Sequence, residues 1–338
     1  MKRFIFITIL LLGGSLCFSQ VKVTQLLCEN RVNPIGIDIL KPQFSWQITS
    51  DKRNVMQAAY EVRVAGNSSS LTKGKRLQWT SGKIKTDESV HVNYDGNPLQ
   101  SGNTYFWQVR VWDNDGKASA WSDPAFFQMA LLDKNDLPAG QAGWKAKWIE
   151  PGYQEDSIMR PSPMFRKQFA SNKKIVSATA YITAHGLYEA FINGKRIGDA
   201  CLTPGWTSYN KRLQYQQYDV ADLLKKGTNA IGVTLGSGWY RGSLAWEANK
   251  NIYGKDISLL FQLNITYSDG SIETIISDDS WKSTTGAIRY AEIYNGETID
   301  ARMEKTGWSS PGYDDAGWSG VKVADFSFDN LIATYNEP

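Results

Sequence analysis

Alternation of apolar and polar residues with a period of two constrains this chain more than any other feature. In the stretch from Tyr105 to Trp112, Tyr105, Trp107, Val109 and Val111 fall on one face of an extended strand. Similar short segments recur along the chain, and no long stretch has the periodicity of an amphipathic helix. Short strands at regular spacing are typical of β-sandwiches. The sequence therefore predicts an all-β protein.

Turn residues separate the predicted strands. The strands are expected over residues 60–64, 105–112, 125–129, 178–183, 187–192, 230–235, 258–266 and 272–276. Asn193-Gly194, Lys226-Gly227 and Asp269-Gly270 mark turns, because Asn, Asp and Gly tolerate the positive φ angles of tight hairpins. Residues 219–224 are expected to form one short helical turn.

The chain is expected to contain two sandwich domains. Residues 21–130 have the size of an immunoglobulin-like or fibronectin-III-like module, and residues 144–328 form a second sandwich. Residues 131–143, with Asp, Asn, Pro and Gly and little apolar patterning, are predicted to be a linker. Residues 329–338 are interpreted as the start of a truncated next domain, and the alternative is a short docked C-terminal strand.

The first nineteen residues are predicted to be a secretory signal peptide. Lys2 and Arg3 precede an apolar run too short to span a membrane, and small residues follow it. Cys17 suggests lipoprotein processing, but Leu16 precedes it, so we prefer ordinary cleavage near Ser19. A buried N-terminal strand or helix is the alternative. The prediction is a secreted, periplasmic or cell-surface protein without membrane insertion.

Charge and cysteine content exclude some classes of function. The 37 basic and 34 acidic residues nearly balance, and no long basic run suggests nucleic-acid binding. Cys28 and Cys201 are expected in different domains, which disfavours a disulfide and favours packing of both thiols. Neither His91 nor His185 has companions at the spacing of a zinc site.

Many short motifs occur in a fixed order along the chain. In the first domain they include Leu27-Cys28-Glu29-Asn30-Arg31, Tyr105 to Trp112 and Trp121-Ser122. In the second they include Trp144 to Ile149, Phe191 to Asp199, Pro204-Gly205-Trp206-Thr207, Gly236 to Gly242 and Gly296 to Arg302. Together these stretches resemble the bacterial α-L-rhamnosidase family over residues 21–320.

The resemblance implies an immunoglobulin-like module followed by a jelly roll similar to galactose-binding folds. It also implies that an (α/α)6 barrel, absent from this chain, holds the carboxylates that hydrolyse terminal α-L-rhamnose from plant glycans or glycosides with inversion. No catalytic residue is therefore assigned here. Glu297 and Asp300 are a possible carboxylate pair, but we prefer an ion pair or loop cap involving Arg302.

A sugar site with calcium as cofactor is a further expectation for the jelly roll. Asp199, Asn249 and Asn251 are the candidate calcium ligands, since calcium takes oxygen ligands. Trp206, Tyr209 and Trp246 are the candidate sugar-binding residues. Sugar-binding relatives favour an amide beside the aspartate, where this chain has Ala200. The alternative for Asp199 is a turn residue that binds its own backbone.

Trp239 follows Gly236-Ser237-Gly238, and two interpretations stay open for it. It could face substrate or the next domain, or it could be buried at the end of the sandwich.

Four hypotheses for function remain. The first is the non-catalytic N-terminal part of a secreted α-L-rhamnosidase, with a rhamnose-containing glycan or glycoside and the enzyme's downstream domains as partners. The second is a stand-alone rhamnose-binding module, and the third is a structural spacer. The fourth is an accessory domain of another glycosidase, since residues 219–229 are similar to β-galactosidase-like enzymes.

Overall fold

The computed structural model describes residues 21–132, 143–244 and 249–334. They form two compact units. The first contains the described residues up to Pro34, with Lys41–Asn97 and Thr104–Phe127; the second contains Ile35–Leu40, Pro98–Asn103 and the described residues from Gln128 onward. The predicted signal peptide and residues 133–142 of the predicted linker lie outside the described residues.

Short strands make up most of the described chain. The first eight are β1 (Lys22–Cys28), β2 (Ile35–Ile37), β3 (Gln43–Thr49), β4 (Gln57–Ala65), β5 (Trp79–Thr80), β6 (Val92–Asn93), β7 (Thr104–Asp113) and β8 (Ala125–Met129). Helix α1 (Ser68–Lys73) lies between β4 and β5, and the Asn67 side chain caps its first turn.

The first unit is a sandwich of two sheets. One sheet has the order β1-β3-β6, and the other contains β8, β7, β4 and β5 as neighbours. The core contains these side chains, all at most 2% exposed: Phe44, Trp46, Val62, Val64, Trp107, Val109 and Phe127. Tyr105, Trp107, Val109 and Val111 are all buried, as their alternation predicts.

Fourteen further strands are described in the rest of the chain. They are β9 (Trp148–Pro151), β10 (Pro163–Ser171), β11 (Ile175–His185), β12 (Leu187–Ile192), β13 (Lys195–Arg196), β14 (Leu213–Asp219), β15 (Gly227–Gly236), β16 (Ser258–Tyr267), β17 (Ile272–Ile276), β18 (Lys282–Thr285), β19 (Ile288–Glu292), β20 (Gly296–Ile299), β21 (Val321–Ala324) and β22 (Leu331–Ala333). Helix α2 (Gly238–Arg241) and two 3₁₀ turns, Ala221–Leu223 and Ala301–Met303, complete the elements.

The second unit is also a sandwich. One sheet has the order β13-β12-β15-β10-β18, and the other has the order β21-β9-β16-β11-β14-β22, with β17 paired to β16. Phe165 and Val233 from the first sheet and Ile182, Phe261 and Leu263 from the second are fully buried in one core. The strands β19 and β20 form a separate hairpin.

The all-β prediction is confirmed. Every predicted strand lies within an observed one, and β8, β12 and β17 have the predicted bounds. The helical turn predicted over residues 219–224 is the 3₁₀ turn Ala221–Leu223. The predicted turn at Lys226-Gly227 overlaps the start of β15: Lys226 lies in a bend, and the strand begins at Gly227. The sequence did not predict the other fourteen described strands; among them β10 and β14 lack a clean alternation of apolar and polar residues.

Residues outside both predicted boundaries of the second domain are packed or paired with strands of the second unit. Leu131 and Leu132, at the start of the predicted linker, are buried, and the Leu131 carbonyl accepts a hydrogen bond from the Tyr215 hydroxyl at 3.0 Å. Strand β22 pairs in parallel with β14, with Leu331 opposite Leu213. Within the described residues these segments belong to the second unit; the assignment of residues 329–338 to a next domain stays a prediction.

Both described cysteines are free. Cys28 is buried, and this burial raises the pKa of its thiol, as expected for a packed cysteine. Cys201 is exposed, so the prediction that it packs is wrong. None of the described helices combines the length and the apolar character needed to cross a membrane.

Candidate functional site

Several loops of the second unit meet beside the short helix α2. The backbone N–H of Asn251 donates to the Arg241 carbonyl at 3.0 Å, and that of Tyr253 donates to the Tyr240 carbonyl at 3.3 Å. These bonds fix the segment around residues 249–253 against α2. Elsewhere in the second unit, the backbone N–H of Ser162 donates to the Ile288 carbonyl at 3.1 Å. Ile288 is the first residue of the β19–β20 hairpin.

A buried ion pair anchors α2. The Arg241 side chain is 1% exposed, and its Nη1 donates to the Glu155 carboxylate at 2.7 and 3.0 Å. Burial lowers the pKa of Arg241, and the Glu155 carboxylate opposes this change. Nε of Arg241 donates a further hydrogen bond to Ser237 Oγ at 3.1 Å. Arg241 therefore stabilises the turn that carries Trp239.

The predicted sugar-binding aromatic residues Trp206 and Tyr209 differ in their exposure to solvent. Trp206 is 53% exposed and stacks on Trp239, with ring centroids 5.7 Å apart and an interplanar angle of 8°. Tyr209 is only 2% exposed, and its hydroxyl donates to the Gly205 carbonyl at 2.8 Å. Tyr209 supports the loop from inside, so Trp206 presents a face to solvent and Tyr209 does not. Trp246 lies outside the described residues.

The predicted calcium ligands do not fit a calcium site well. Asp199 and Asn249 are exposed. The side-chain oxygen of Asn251 accepts a hydrogen bond from Nη1 of Arg160 at 2.7 Å, and a guanidinium there repels a cation. No group of three or more His, Cys, Asp or Glu residues in the described ranges could hold a metal ion. The calcium site stays a prediction.

A cleft lies on the second unit between β12, the end of β15 and the β19–β20 hairpin. Its volume is about 240 Å³. Aliphatic residues line it, among them Leu187, Leu202, Ile288 and Ile293. Three carboxylates also reach the lining, one from each neighbouring strand: Glu189, Glu292 and Glu297. The cleft therefore combines apolar walls with hydrogen-bond acceptors.

Glu292 is the best-fixed of these carboxylates. Its side chain is 5% exposed, and Oε2 accepts hydrogen bonds from Ser243 Oγ at 2.9 Å and Asn295 Nδ2 at 2.7 Å. Lys250 Nζ lies 3.2 Å from Oε1. Burial raises the pKa of Glu292, but the bonds from Ser243, Asn295 and Lys250 outweigh burial, and the net pKa is lowered. Glu292 is therefore a fixed anion.

The predicted ion pair or loop cap involving Arg302 is observed for Asp300 but not for Glu297. Asp300 caps the 3₁₀ turn by accepting from the Arg302 backbone, and Arg302 Nη2 lies 2.7 Å from its carboxylate. Glu297 is not part of this pair and lines the cleft instead. Sequence reasoning also missed Glu292, since no motif marked it, and it did not single out Glu189 as a site residue.

Comparison with known proteins identifies the family to which this chain belongs. Residues 23–133 match the Rha78A-like N-terminal immunoglobulin domain, and residues 173–338 match the α-L-rhamnosidase N-terminal domain. The chain belongs to the α-L-rhamnosidase family. An α-L-rhamnosidase of Formosa agariphila is 38% identical over 328 residues, which cover 95% of this chain and 34% of that protein. One from an Alteromonas species is 37% identical over 308 residues, covering 88% and 32%.

Solved structures of the family agree with this assignment. The native α-L-rhamnosidase of Aspergillus terreus is 38% identical, with a TM-score of 0.80, and the match covers 93% of this chain and 35% of that one. The Streptomyces avermitilis enzyme, solved in complex with L-rhamnose, is 26% identical with a TM-score of 0.82, covering 93% and 46%. The chain spans about a third of the length of the Formosa and Alteromonas relatives.

Proposed function

We propose that this chain is the N-terminal, non-catalytic part of a secreted α-L-rhamnosidase that hydrolyses terminal α-L-rhamnose from plant glycans or glycosides. One observation carries the proposal: the similarity to α-L-rhamnosidases extends over 95% of this chain but only 34% of the Formosa relative. The family match spans both sandwich units, so a chance likeness of one common fold is not the explanation.

The partners in this proposal are the enzyme's downstream domains and a rhamnose-containing substrate. Inverting glycosidases need two carboxyl groups about 6.5–9.5 Å apart with a water between them and the sugar. In the described residues the buried Glu292 is held by Lys250, Ser243 and Asn295, an arrangement that fixes a carboxylate rather than exchanging its proton. This supports a non-catalytic role for the segment.

The reading frame beyond codon 338 in the source DNA tests the first part of the proposal. A frame that continues for several hundred codons, with its product hydrolysing p-nitrophenyl α-L-rhamnoside, is the expected result. The chain of 338 residues alone should release no p-nitrophenol. Hydrolysis by this chain alone would contradict the non-catalytic role, and a stop codon directly after Pro338 would favour the stand-alone binding module.

Sugar binding at the exposed Trp206 is a second candidate function. The Trp206 indole, stacked on Trp239, offers the flat apolar surface on which sugar rings pack. Replacing Trp206 with Ala should weaken binding of L-rhamnose, measured by calorimetry with calcium and with a chelator. Unchanged affinity in the Trp206→Ala variant would remove this candidate.

A further inference from the structure

The cleft beside β12 has a nearly balanced charge although three carboxylates line it. Arg196 Nη2 lies 3.3 Å from Glu189, and Lys250 Nζ lies 3.2 Å from Glu292. Among the described residues Glu297 has no ion-pair partner. One uncompensated and exposed carboxylate attracts a cation only weakly in water. The cleft therefore suits a neutral ligand better than a charged one.

Two of these carboxylates, Glu292 and Glu297, can each accept a further hydrogen bond. Glu292 receives its bonds from Ser243 and Asn295 on Oε2, which leaves Oε1 with Lys250 as its partner in the described part of the chain. A carboxylate oxygen has room for a further donor. Glu297 stands on the neighbouring strand β20, opposite Ala291. A ligand that brings two or more hydroxyl donors would satisfy both groups.

The walls and the size of the cleft limit the ligand further. Leu187, Leu202 and Ile288 give it an aliphatic surface, and Leu202 is 55% exposed. A volume of about 240 Å³ is smaller than the roughly 300–1,000 Å³ of sites for drug-sized ligands. A single small ring with an apolar face and a hydroxylated face matches these dimensions.

We propose that the cleft between β12, β15 and the β19–β20 hairpin binds one neutral pyranose, with hydroxyls on Glu292 and Glu297 and the apolar side of the ring on Leu187, Leu202 and Ile288. This site shares no residue with the Trp206 surface, which consists of Trp206 and the Trp239 ring stacked on it. The choice of a sugar as ligand rests on the proposed function, whereas the description of the cleft does not.

Gly236 provides a direct test because it lines the cleft with no side chain. A Cβ at this position meets nothing closer than the Ala291 Cβ at 4.0 Å, so a larger residue fits the backbone and projects into open space. The Gly236→Leu variant should fill the cleft. The probe is methyl α-L-rhamnopyranoside, titrated into the full chain by calorimetry and followed by saturation-transfer NMR.

The full chain should bind the probe with a dissociation constant of the order of 1 mM, and Gly236→Leu should weaken binding about tenfold or more. Glu297→Gln, which keeps the shape but removes the charge, should weaken it about threefold to tenfold. Gly317→Leu is the control for the added leucine, since Gly317 also has open space around it. Glu304→Gln is the control for the lost charge, and both controls should bind like the unchanged chain.

Three outcomes would overturn the proposal. No binding of the probe at tens of millimolar means that the cleft takes no such sugar. Full affinity in Gly236→Leu, with loss in Trp206→Ala, places the sugar on the Trp206 surface instead. Binding of methylammonium in place of the probe, abolished by Gly236→Leu, makes the cleft a cation site. None of these readouts measures hydrolysis, so failure here is distinguishable from failure of the proposed function.

Discussion

The imidazole of His185 lies parallel to the indole of Trp148, with ring centroids 4.3 Å apart and an interplanar angle of 3°. The Tyr240 ring also stacks on the imidazole, with centroids 4.6 Å apart, so two aromatic rings enclose it. Its Nδ1 lies 2.8 Å from Ser258 Oγ. Burial lowers the pKa of His185 to about 4, so the folded protein holds this histidine neutral at physiological pH.

Acid should therefore destabilise the second unit through His185. The unfolded histidine takes up a proton near pH 6.5, whereas the folded one does so only near pH 4. The stability from this group is fully present above about pH 6.5 and is lost as the pH falls towards 4, a loss of about 3 kcal/mol in the free energy of unfolding. Urea unfolding of the chain at about pH 7 and about pH 4 measures this loss.

Two variants separate His185 from other titrating groups. His185→Phe should be less stable at pH 7, because Ser258 loses its partner, but its stability should change less between the two pH values. His91→Asn is the control, since His91 is exposed and its φ of 55° suits asparagine. An equal loss with acid in His185→Phe and in the unchanged chain would exclude His185 as the cause.

The ion pair between Arg241 and Glu155 should be important for stability. Replacing Glu155 with Gln leaves the Arg241 charge, 1% exposed, without its anion, and should cost about 3 kcal/mol in the free energy of unfolding. Arg241→Met should cost less than Glu155→Gln, since it removes the charge rather than isolating it. The double variant should then be close to Arg241→Met alone.

An exposed pair gives the comparison for this experiment. Lys173 and Asp269 are 2.8 Å apart with both side chains about half exposed, so Lys173→Met should change stability far less. Thermal unfolding of all variants at one pH checks the series. A cost for Lys173→Met as large as that for Glu155→Gln would show that burial is not what decides the effect.

Two glycines that lie close together, Gly186 and Gly236, should respond differently to alanine. Gly186 has a φ of 123°, and a Cβ there would lie 2.5 Å from the Gly236 carbonyl oxygen. Gly186→Ala should therefore cost 2 kcal/mol or more, about 5 °C in Tm. Gly236→Ala meets only ordinary contacts and should keep its Tm within about 2 °C. Equal Tm values for the two variants, measured by scanning calorimetry, would contradict this.

Arg110 should not tolerate replacement by lysine in the first unit. Its Nε and Nη2 donate to Glu61 Oε2 at 2.8 and 2.6 Å, and its guanidinium lies 4.8 Å from the Trp121 ring centroid and 4.9 Å from that of Trp112. Lysine keeps the charge but loses the planar fork and the stacking, so Arg110→Lys should cost about 1–2 kcal/mol in urea unfolding.

The exposed Arg53 provides the control for this substitution, because Arg53→Lys changes the same chemistry at the surface and should be neutral. If Arg110→Lys is also neutral, the contacts with Trp112 and Trp121 do not contribute to stability.

Sequence alone determined the features that depend on neighbours along the chain. Alternation placed Tyr105, Trp107 and Val109 in the core, and Asn193-Gly194 marked the turn between β12 and β13. The preference for an ion pair or loop cap involving Arg302 also holds for Asp300, because both contacts join residues that are close together in the chain. These predictions hold because strand periodicity and turn chemistry are local properties of the backbone.

Tertiary structure alone decided which distant residues meet. Glu189, Gly236 and Glu292 form one cleft although more than a hundred positions separate the first from the last. The sequence predicted that Trp206 and Tyr209 share a role, but packing of Tyr240 and Tyr253 around Tyr209 buries it and leaves Trp206 exposed. Strand pairing between remote segments depends on long-range burial of apolar faces, and no local pattern records which segments will pair.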